Sequence, residues 1–225
     1  MVYLEYSAWS AGTEGCCKRE QMMSKRFEEI YATNEWGHGS GEGSLPVHTR
    51  GYVAFLQAFL AEKNITSVVD MGCGDWQFSR SIQWGNIRYR GYDVVRSVIE
   101  ENTRKYSAPN ISFHLYSGNA DELPPADLLI SKDVLQHLSD NTITKVLPSL
   151  NRFRYSLLTN CVNPNGTTVP SDIADGGFRY LDLRLPPFNL AADEVYCFNN
   201  AMNPIERIFK GPRWKKRVLL IDGKA

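Results

Sequence analysis

The sequence has no excess of charge of either sign, because 25 lysines and arginines balance 25 aspartates and glutamates over 225 residues. A broad electropositive face, which is the usual footprint of nucleic-acid binding, is therefore not expected. Cysteines are few, and the five lie at scattered positions without the spacing of a disulfide framework or a zinc knuckle, which favours a reducing compartment. Hydrophobic residues make up 43% of the chain, which is enough for a globular protein with a proper core.

The chain has no hydrophobic run of the length that crosses a membrane. Its most apolar window, residues 52–61, is much shorter than the ~20 residues that a spanning helix needs. The chain also does not start with a basic segment followed by an apolar stretch. We therefore expect a soluble, cytoplasmic protein. No repeat or linker divides it, so we expect one structural domain, in which an N-terminal section (1–50) precedes a main section (51–225).

The N-terminal section combines an arm, a helix and a loop. Residues 1–17 are aromatic-rich but aperiodic, and they can be an ordered arm or the remnant of a longer polypeptide. Apolar residues at helical spacing over residues 23–31 predict an amphipathic helix, and those over residues 52–60 predict a second one. The glycine-dense loop NEWGHGSGEGSLP, residues 34–46, connects the two helices.

The main section has the pattern of an α/β protein. From Ser67 onward, short apolar runs alternate with segments of helical texture, which predicts parallel strands in a doubly wound sheet. One helix is predicted over residues 141–153, where Pro148 should kink it. The last two apolar runs, residues 194–200 and 216–222, have no long helix between them and predict a terminal antiparallel pair.

The strongest functional signal is the segment VVDMGCGDW, residues 68–76, in which an apolar run ends in Asp70 and is followed by Gly72 and Gly74. At the first strand-to-helix turn of an open α/β sheet, glycines let backbone N–H groups approach a nucleotide-like ligand. Asp93 ends the next predicted strand, 23 residues after Asp70. This is close to the ~20-residue spacing at which a carboxylate accepts hydrogen bonds from ribose hydroxyls.

Departures from the dinucleotide pattern indicate the kind of ligand. A G-x-G-x-x-G fingerprint would require glycine where Gln77 stands, and the bulky Trp76 would crowd a pyrophosphate. Asp70 would repel phosphates and attract a cation. A ligand with a ribose and a positive group fits better than a nicotinamide dinucleotide, and S-adenosylmethionine (SAM) has both. A nicotinamide-dependent reductase is therefore disfavoured.

These residues resemble the first motif of the class I SAM-dependent methyltransferases, D/E-x-G-x-G, which Asp70, Gly72 and Gly74 match. The similarity extends over roughly residues 36–162, and it is to the type that methylates oxygen atoms of small molecules or sugars. It implies a Rossmann-like seven-stranded sheet in the order 3-2-1-4-5-7-6, with an antiparallel last strand and N-terminal cap helices. Residues 51–225 would then form the SAM-binding domain, and S-adenosylhomocysteine (SAH) would be the product.

The resemblance also implies cofactor contacts along the chain. Asn119 and Ala120 would meet the adenine, although the family more often has aspartate in the place of Asn119. In members of this family, a WG...SGxGS segment covers the methionine end of the cofactor, and residues 36–44 resemble that segment. Arg50, just beyond, is expected to pair with the cofactor's carboxylate. The complete set of expected cofactor contacts is Trp36, Ser44, Arg50, Asp70, Gly72, Gly74, Asp75, Trp76, Asp93, Asn119, Ala120 and Asp133.

Catalysis is expected from two regions. The segment KDVLQHLS resembles the loop and helix after the fourth strand in small-molecule methyltransferases, which places Asp133 and His137 beside the reacting centre. Imidazole, with an unperturbed pKa of ~6.5, suits a general base for methyl transfer to a hydroxyl. A long polar insertion, residues 163–188, is expected to face the acceptor. Its candidate contacts to a polyhydroxylated substrate are Asp172, Asp175, Arg179 and Asp182.

The composition of the insertion also indicates the kind of acceptor. Because the insertion mixes carboxylates, amides, arginine and aromatics, a hydroxyl of a sugar or glycan is expected, with a natural-product phenol or a carboxylate as the alternative. Mg²⁺ held by Asp133, Asp172 and Asp175 is an alternative that we do not favour, so no metal ligands are assigned. A non-catalytic methyltransferase-like binding subunit is the rival of another class, and the intact glycine turn counts against it. The oligomeric state stays open.

Overall fold

The computed structural model describes residues 23–202 and 212–223. The predicted arm, residues 1–17, lies outside the described residues. Seven strands form a single sheet, with four α-helices around it in the described part of the chain. The strands are β1 (Ser67–Met71), β2 (Arg88–Asp93), β3 (Ile111–Leu115), β4 (Ala126–Lys132), β5 (Phe153–Val162), β6 (Asp193–Asn199) and β7 (Lys215–Asp222). The helices are α1 (23–33), α2 (Pro46–Glu62), α3 (Arg96–Tyr106) and α4 (Asp140–Val146).

The sheet has the order β3-β2-β1-β4-β5-β7-β6. Strands β1 to β5 pair in parallel, whereas β7 runs antiparallel to both β5 and β6. The predicted sheet order and the predicted terminal antiparallel pair are therefore confirmed. The order reverses direction between β1 and β4, and in open α/β sheets ligands bind beyond the carboxyl ends of the strands at such a switch point.

Both faces of the sheet are covered, which explains why its central strands consist of continuous apolar runs. Side chains alternate between the faces along a strand. Val69 and Met71 accordingly enter the core beneath α1, while Val68 enters the core beneath α2. This alternation decides which strand residues can reach a site at the carboxyl edge of the sheet.

The two N-terminal helices form as their periodicity predicts. Met23, Phe27 and Ile30 of α1 are buried in the first core. Helix α2 starts with Pro46 in its first turn, where a missing N–H costs no intrahelical hydrogen bond. Its buried face contains Tyr52, Leu56, Phe59 and Leu60. The sequence-based boundary at residue 50 lies within this helix.

The helix predicted over residues 141–153 is shorter than expected. Helix α4 ends at Val146, and the chain continues as a 3₁₀-helix, Leu147–Arg152, before β5 begins. Pro148 lacks the N–H that an α-helical hydrogen bond needs, and the α-helix ends before this residue instead of continuing through it with the predicted kink. At the other end of α4, the side chain of Ser139 accepts a hydrogen bond from the N–H of Thr142 and caps the helix. None of the described helices is long and apolar enough to span a membrane.

Candidate active site

A cavity opens at the carboxyl ends of β1, β2 and β4, at the switch point of the sheet. Counted out to its open mouth, with the solvent space there included, it encloses roughly 850 Å³. Helix α1 and the glycine-dense loop cover it. Sequence-predicted site residues that line it are Trp36, Ser44, Gly72, Gly74, Asp75, Asp93, Asp133 and His137.

The floor of the cavity is the glycine turn after β1. Gly72 and Gly74 have φ angles of 75° and 53°, a region that side-chain-bearing residues rarely adopt. A Cβ atom on Gly72 would collide with the side chain of Val134, and one on Gly74 would collide with Ser40 Oγ. Both glycines are therefore required by backbone conformation and by the space beside them.

Asp93 stands at the end of β2, next to this turn. Its Oδ2 accepts a hydrogen bond from Gly74 N at 3.0 Å, and its Oδ1 accepts one from Val95 N at 3.0 Å. Burial raises the pKa of Asp93 to about 6, against the opposing effect of these backbone hydrogen bonds. Each oxygen keeps a second lone pair, so the fixed carboxylate can still accept hydrogen bonds from ligand hydroxyls.

Asp70, which was expected to face the turn, points to the other side of the sheet. Its Oδ2 accepts hydrogen bonds from Tyr89 Oη at 2.7 Å and from Ser79 Oγ at 3.2 Å. It is 1% exposed, and burial raises its pKa to about 6. Because side chains alternate along β1, Asp70 shares its face with Val68 rather than with Met71, which lines the cavity. The structure therefore does not bring Asp70 to the site.

Two further expected contacts also lie away from the cavity. Trp76 is 5% exposed and packs in the second core. Its ring centroid lies 5.1 Å from that of Tyr106 and 5.3 Å from that of Phe113. Arg50 is exposed on α2 and does not line the cavity. The backbone of Trp76 has a positive φ of 59°, in the irregular segment that follows β1.

The glycine-dense loop covers the cavity and is attached to the glycine turn. Ser40 Oγ lies 2.7 Å from Tyr31 Oη and accepts a hydrogen bond from Asp75 N at 3.0 Å. In return, Ser40 N donates to Asp75 Oδ2 at 3.3 Å. The ring of Trp36 packs edge-on against Tyr31 of α1 at a centroid distance of 5.8 Å. We call residues 36–44 the covering segment.

A cluster of two lysines and one aspartate, which we call the Lys–Asp–Lys cluster, holds the other end of this segment. Lys132 Nζ and Lys216 Nζ both donate to Asp133 Oδ2, the former at 2.5 Å. Both also donate to the carbonyl of Gly43, at 3.2 and 3.1 Å. The lysine side chains are 1% and 3% exposed. With two ammonium groups and one carboxylate, the cluster has a net charge of one positive unit when all three groups are ionised.

Burial and charge act in opposite directions within the Lys–Asp–Lys cluster. Burial disfavours the ionised form of Asp133, but the two ammonium groups outweigh it and lower its pKa to about 2. Burial lowers the pKa of Lys132 to about 8. Asp133 Oδ1 is buried and finds no hydrogen-bond donor among the described residues. Sequence reasoning missed both lysines, and the only local signal was a lysine at the end of an apolar strand.

His137 lies in a short 3₁₀-helix after β4, and its ring packs against that of Trp36 at a tilt of 32°, with ring centroids 4.7 Å apart. Its Nδ1 is 2.6 Å from the carbonyl oxygen of Gly177. Because that oxygen can only accept, the proton of the neutral ring is assigned to Nδ1 and the lone pair to Nε2. The amide nitrogen of Gln136 lies 3.3 Å from Nε2. Burial lowers the pKa of His137, which favours a neutral ring at neutral pH.

The long insertion after β5 uses its charged residues to pack against α4. Asp175 accepts hydrogen bonds from Ser139 N at 2.7 Å and from Thr142 Oγ1 at 3.1 Å. Arg179 is 5% exposed and donates to the carbonyl of Leu138 at 2.7 Å. The expectation that Asp175 and Arg179 are available to an acceptor is therefore not met, because they satisfy the backbone and side chains at the start of α4.

The other two acidic residues of the insertion are engaged as well. Asp172 accepts from Asp140 N at 2.8 Å, and Asp182 pairs with Arg184 at 3.1 Å and also with Arg217. Within the described residues, no group of three or more His, Cys, Asp or Glu side chains is placed to hold a metal ion. The alternative in which Asp133, Asp172 and Asp175 together hold Mg²⁺ therefore has no geometric support among these residues.

Asn119 and Ala120 line a hollow that adjoins the cavity and shares Met23 and Gly118 with it. Asn119 Oδ1 accepts from Asp121 N at 3.1 Å and so caps a short 3₁₀-helix. Ala120 is 4% exposed. The side-chain oxygen of Asn119, which is expected to contact the adenine, thus already accepts one hydrogen bond within the turn.

No protein-family model matches the sequence, and a search of curated proteins finds no significant match. Solved structures are similar in fold. Magnesium protoporphyrin IX methyltransferase from Synechocystis PCC 6803 with bound SAH aligns with a TM-score of 0.60 and 14% identity, over 89% of this chain and 98% of that one.

Two further structures show the same likeness. A DhpI–SAH complex aligns with a TM-score of 0.58 and 14% identity, over 92% of this chain and 98% of that one. TehB from Haemophilus influenzae aligns with a TM-score of 0.54 and 19% identity, over 77% of this chain and 62% of that one. At such identities the likeness establishes architecture, and the chain adopts the Rossmann-like fold of the class I methyltransferases.

Proposed function

We propose that the protein is a SAM-dependent methyltransferase. The observation that carries the proposal is the carboxylate of Asp93, held by the N–H of Gly74 beside a glycine turn that leaves no room for a Cβ. A carboxylate in this position accepts hydrogen bonds from a ribose. The similar structures with bound SAH support the same reading.

The cavity suits each portion of this cofactor. The ribose would be held by Asp93, and the methionine portion would lie over the turn from Gly72 to Gly74. The adenine would extend toward the hollow beside Gly118 and Ala120. Trp36 would cover the methionine end and exclude water. These residues are the ones that line the cavity and its adjoining hollow.

When bound, SAM supplies an activated methyl group on a sulfonium. The protein then has to hold the acceptor oxygen in line with the methyl group and remove a proton. His137 is our candidate base, because its Nδ1–H is tied to Gly177 and its Nε2 carries the lone pair. To act, Nε2 would exchange its 3.3 Å contact with Gln136 for the acceptor hydroxyl. Asp133 Oδ1, which lacks a donor among the residues described, would orient that hydroxyl.

We propose a hydroxyl of a sugar or glycan as the acceptor. Phe178 is 53% exposed, and its ring lies 5.8 Å from that of His137. The backbone on both sides of Phe178 is held in place, since Gly176 N donates to His137 O and Arg179 N donates to Gln136 O. A rigid exposed ring offers a flat surface for the C–H face of a sugar. It would equally stack on a phenol, which is the alternative acceptor together with a carboxylate.

Isothermal titration with SAM and SAH tests the cofactor. We expect micromolar binding that is lost or weakened at least tenfold in Asp93→Asn, with Asp222→Asn, an exposed substitution outside the cavity and its adjoining hollow, as the matched control. Turnover is tested by SAH release with panels of glycosides, phenols and carboxylic acids, and His137→Gln should abolish release without loss of SAH binding. SAH binding without turnover on any panel would favour a non-catalytic binding subunit. Absence of binding to the wild type would contradict the proposal.

A further inference from the structure

Asp75, the residue after the glycine turn, uses its two carboxylate oxygens differently. Oδ2 accepts hydrogen bonds from Ser40 N at 3.3 Å and from Gln77 Nε2 at 2.6 Å. Oδ1 is buried, and the structure places no donor from the described residues within hydrogen-bonding distance of it. Leaving a buried carboxylate oxygen without a donor costs free energy. Because Asp75 lines the cavity, a ligand donor is a natural partner for this atom.

The charges around the cavity are distributed unevenly. Asp75 lies close enough to Asp93 that its charge contributes to the raised pKa of Asp93, so both carboxylates make this side negative. Across the glycine turn, the Lys–Asp–Lys cluster at the end of β4 carries an excess positive charge. A ligand with an ammonium and a carboxylate would therefore be oriented with the ammonium toward Asp75 and the carboxylate toward Lys132.

The sheet order sets the distance that the amino-acid portion of the proposed cofactor has to span in this orientation. Strands β2, β1 and β4 are neighbours, so the ends of β2 and β4 are roughly 10 Å apart at ~4.8 Å per strand. A nucleoside whose ribose is held by Asp93 at the end of β2 extends its amino-acid chain across β1 toward Lys132. That path passes the turn from Gly72 to Gly74 and then Asp75, the residue that follows the turn.

We infer that Asp75 Oδ1 binds the α-ammonium of the cofactor's methionine portion, with the α-carboxylate on the side of Lys132. The inference rests on the proposed function. Because Oδ2 of the same carboxylate accepts from Ser40 N, binding of the amine to Asp75 also stabilises the covering segment over the ligand. Amine recognition and closure thus share one side chain.

The test uses three probes: SAH, decarboxylated SAH, which keeps the amine, and 5′-deoxy-5′-methylthioadenosine, which lacks the whole amino-acid portion. The variant is Asp75→Asn, whose oxygen can still accept from Ser40 N and Gln77 while its NH₂ group takes the position of Oδ1. We expect the affinity of both amine-bearing probes to fall about tenfold or more. The affinity of methylthioadenosine should stay within a factor of about two. An equal loss for all three probes, or no loss for SAH, would overturn the inference.

Hydrogen exchange gives an independent readout on the wild type. At matched saturation, SAH and decarboxylated SAH should slow amide exchange in the covering segment more than methylthioadenosine does, and the difference should disappear in Asp75→Asn. If that variant does not fold, the wild type alone decides, because decarboxylated SAH must bind at least about tenfold more tightly than methylthioadenosine. If none of the probes binds the wild type, the proposed function itself fails. Binding of all three with equal affinity leaves that function intact and refutes only the role of Asp75.

Discussion

The backbone N–H of Gly74 donates a hydrogen bond to Oδ2 of Asp93 at 3.0 Å. This contact joins the turn after β1 to the end of β2, across two neighbouring parallel strands. One carboxylate therefore shapes the floor of the cavity and also presents its remaining lone pairs to a ligand.

SAH affinity should depend on the ionisation of Asp93. Ribose hydroxyls donate to the ionised carboxylate, and burial places its pKa at about 6. The ligand therefore binds the deprotonated form, so affinity should be full above about pH 7 and fall about tenfold per pH unit below about pH 5.5. Titration calorimetry between pH 5 and 8 measures this. Asp93→Asn should bind weakly with no such pH dependence, and a flat profile for the wild type would contradict the role of Asp93.

Gly74→Ala should weaken SAH binding, whereas Gly85→Ala should not. The two glycines have nearly the same φ, 53° and 52°, so alanine should cost about 1–2 kcal/mol of folding stability at either position. They differ in their surroundings, because a Cβ on Gly74 would collide with Ser40 Oγ, while one on Gly85 has no atom within 4 Å. Urea unfolding and SAH titration of both variants separate the two effects. Equal SAH affinity in the two variants would show that the position of Ser40 does not matter for binding.

Asp133→Asn should destabilise the protein more than Lys216→Met. Removing the carboxylate leaves the buried ammonium groups of Lys132 and Lys216 without a counter-charge, which should cost about 3–5 kcal/mol. Removing Lys216 leaves a neutral pair of Lys132 and Asp133 and the hydrogen bond from Lys132 to Gly43, so the loss should stay below about 2 kcal/mol. Urea unfolding at pH 7 measures both. The reverse order would mean that the excess positive charge is compensated elsewhere.

Asp70→Asn should gain stability relative to the wild type as pH rises. Burial raises the pKa of Asp70 to about 6, above its ordinary value, so the folded state binds the proton more tightly than the unfolded state. The stability contributed by protonated Asp70 is complete below about pH 4 and is lost as pH rises through 6, at a cost on the order of 2–3 kcal/mol. Asparagine keeps an oxygen for Tyr89 and Ser79 and has no charge to bury.

The measurement for this last prediction is the difference in the free energy of unfolding between Asp70→Asn and the wild type, at pH 5 and at pH 7.5. Asp121→Asn, an exposed change, serves as the control and should show no pH-dependent difference. A difference for Asp70→Asn that is the same at both pH values would mean that the pKa of Asp70 is not raised in the folded protein, so that its carboxylate is ionised in the folded and the unfolded state alike.

The insertion after β5 shows where reasoning from sequence stopped. Its polar composition predicted acceptor contacts by Asp175 and Arg179, yet both are used to satisfy the start of α4. Composition cannot reveal whether a polar side chain faces a substrate or the backbone of a neighbouring helix. The ring of Phe178, between these residues in the chain, is exposed near His137 instead.

The sequence by itself determined the alternation of strands and helices and the position of the glycine turn with Asp93, because strand periodicity, glycine placement and spacing are local properties of the chain. The sheet order came only from the resemblance of these motifs to a known family. The tertiary structure decided which face of β1 receives Asp70 and where the ring of Trp76 packs. It also brought Lys216 to Asp133 across 83 residues of chain. Buried charges find their partners through the pairing of β5 with β7, and such long-range contacts leave no pattern in the sequence on either side.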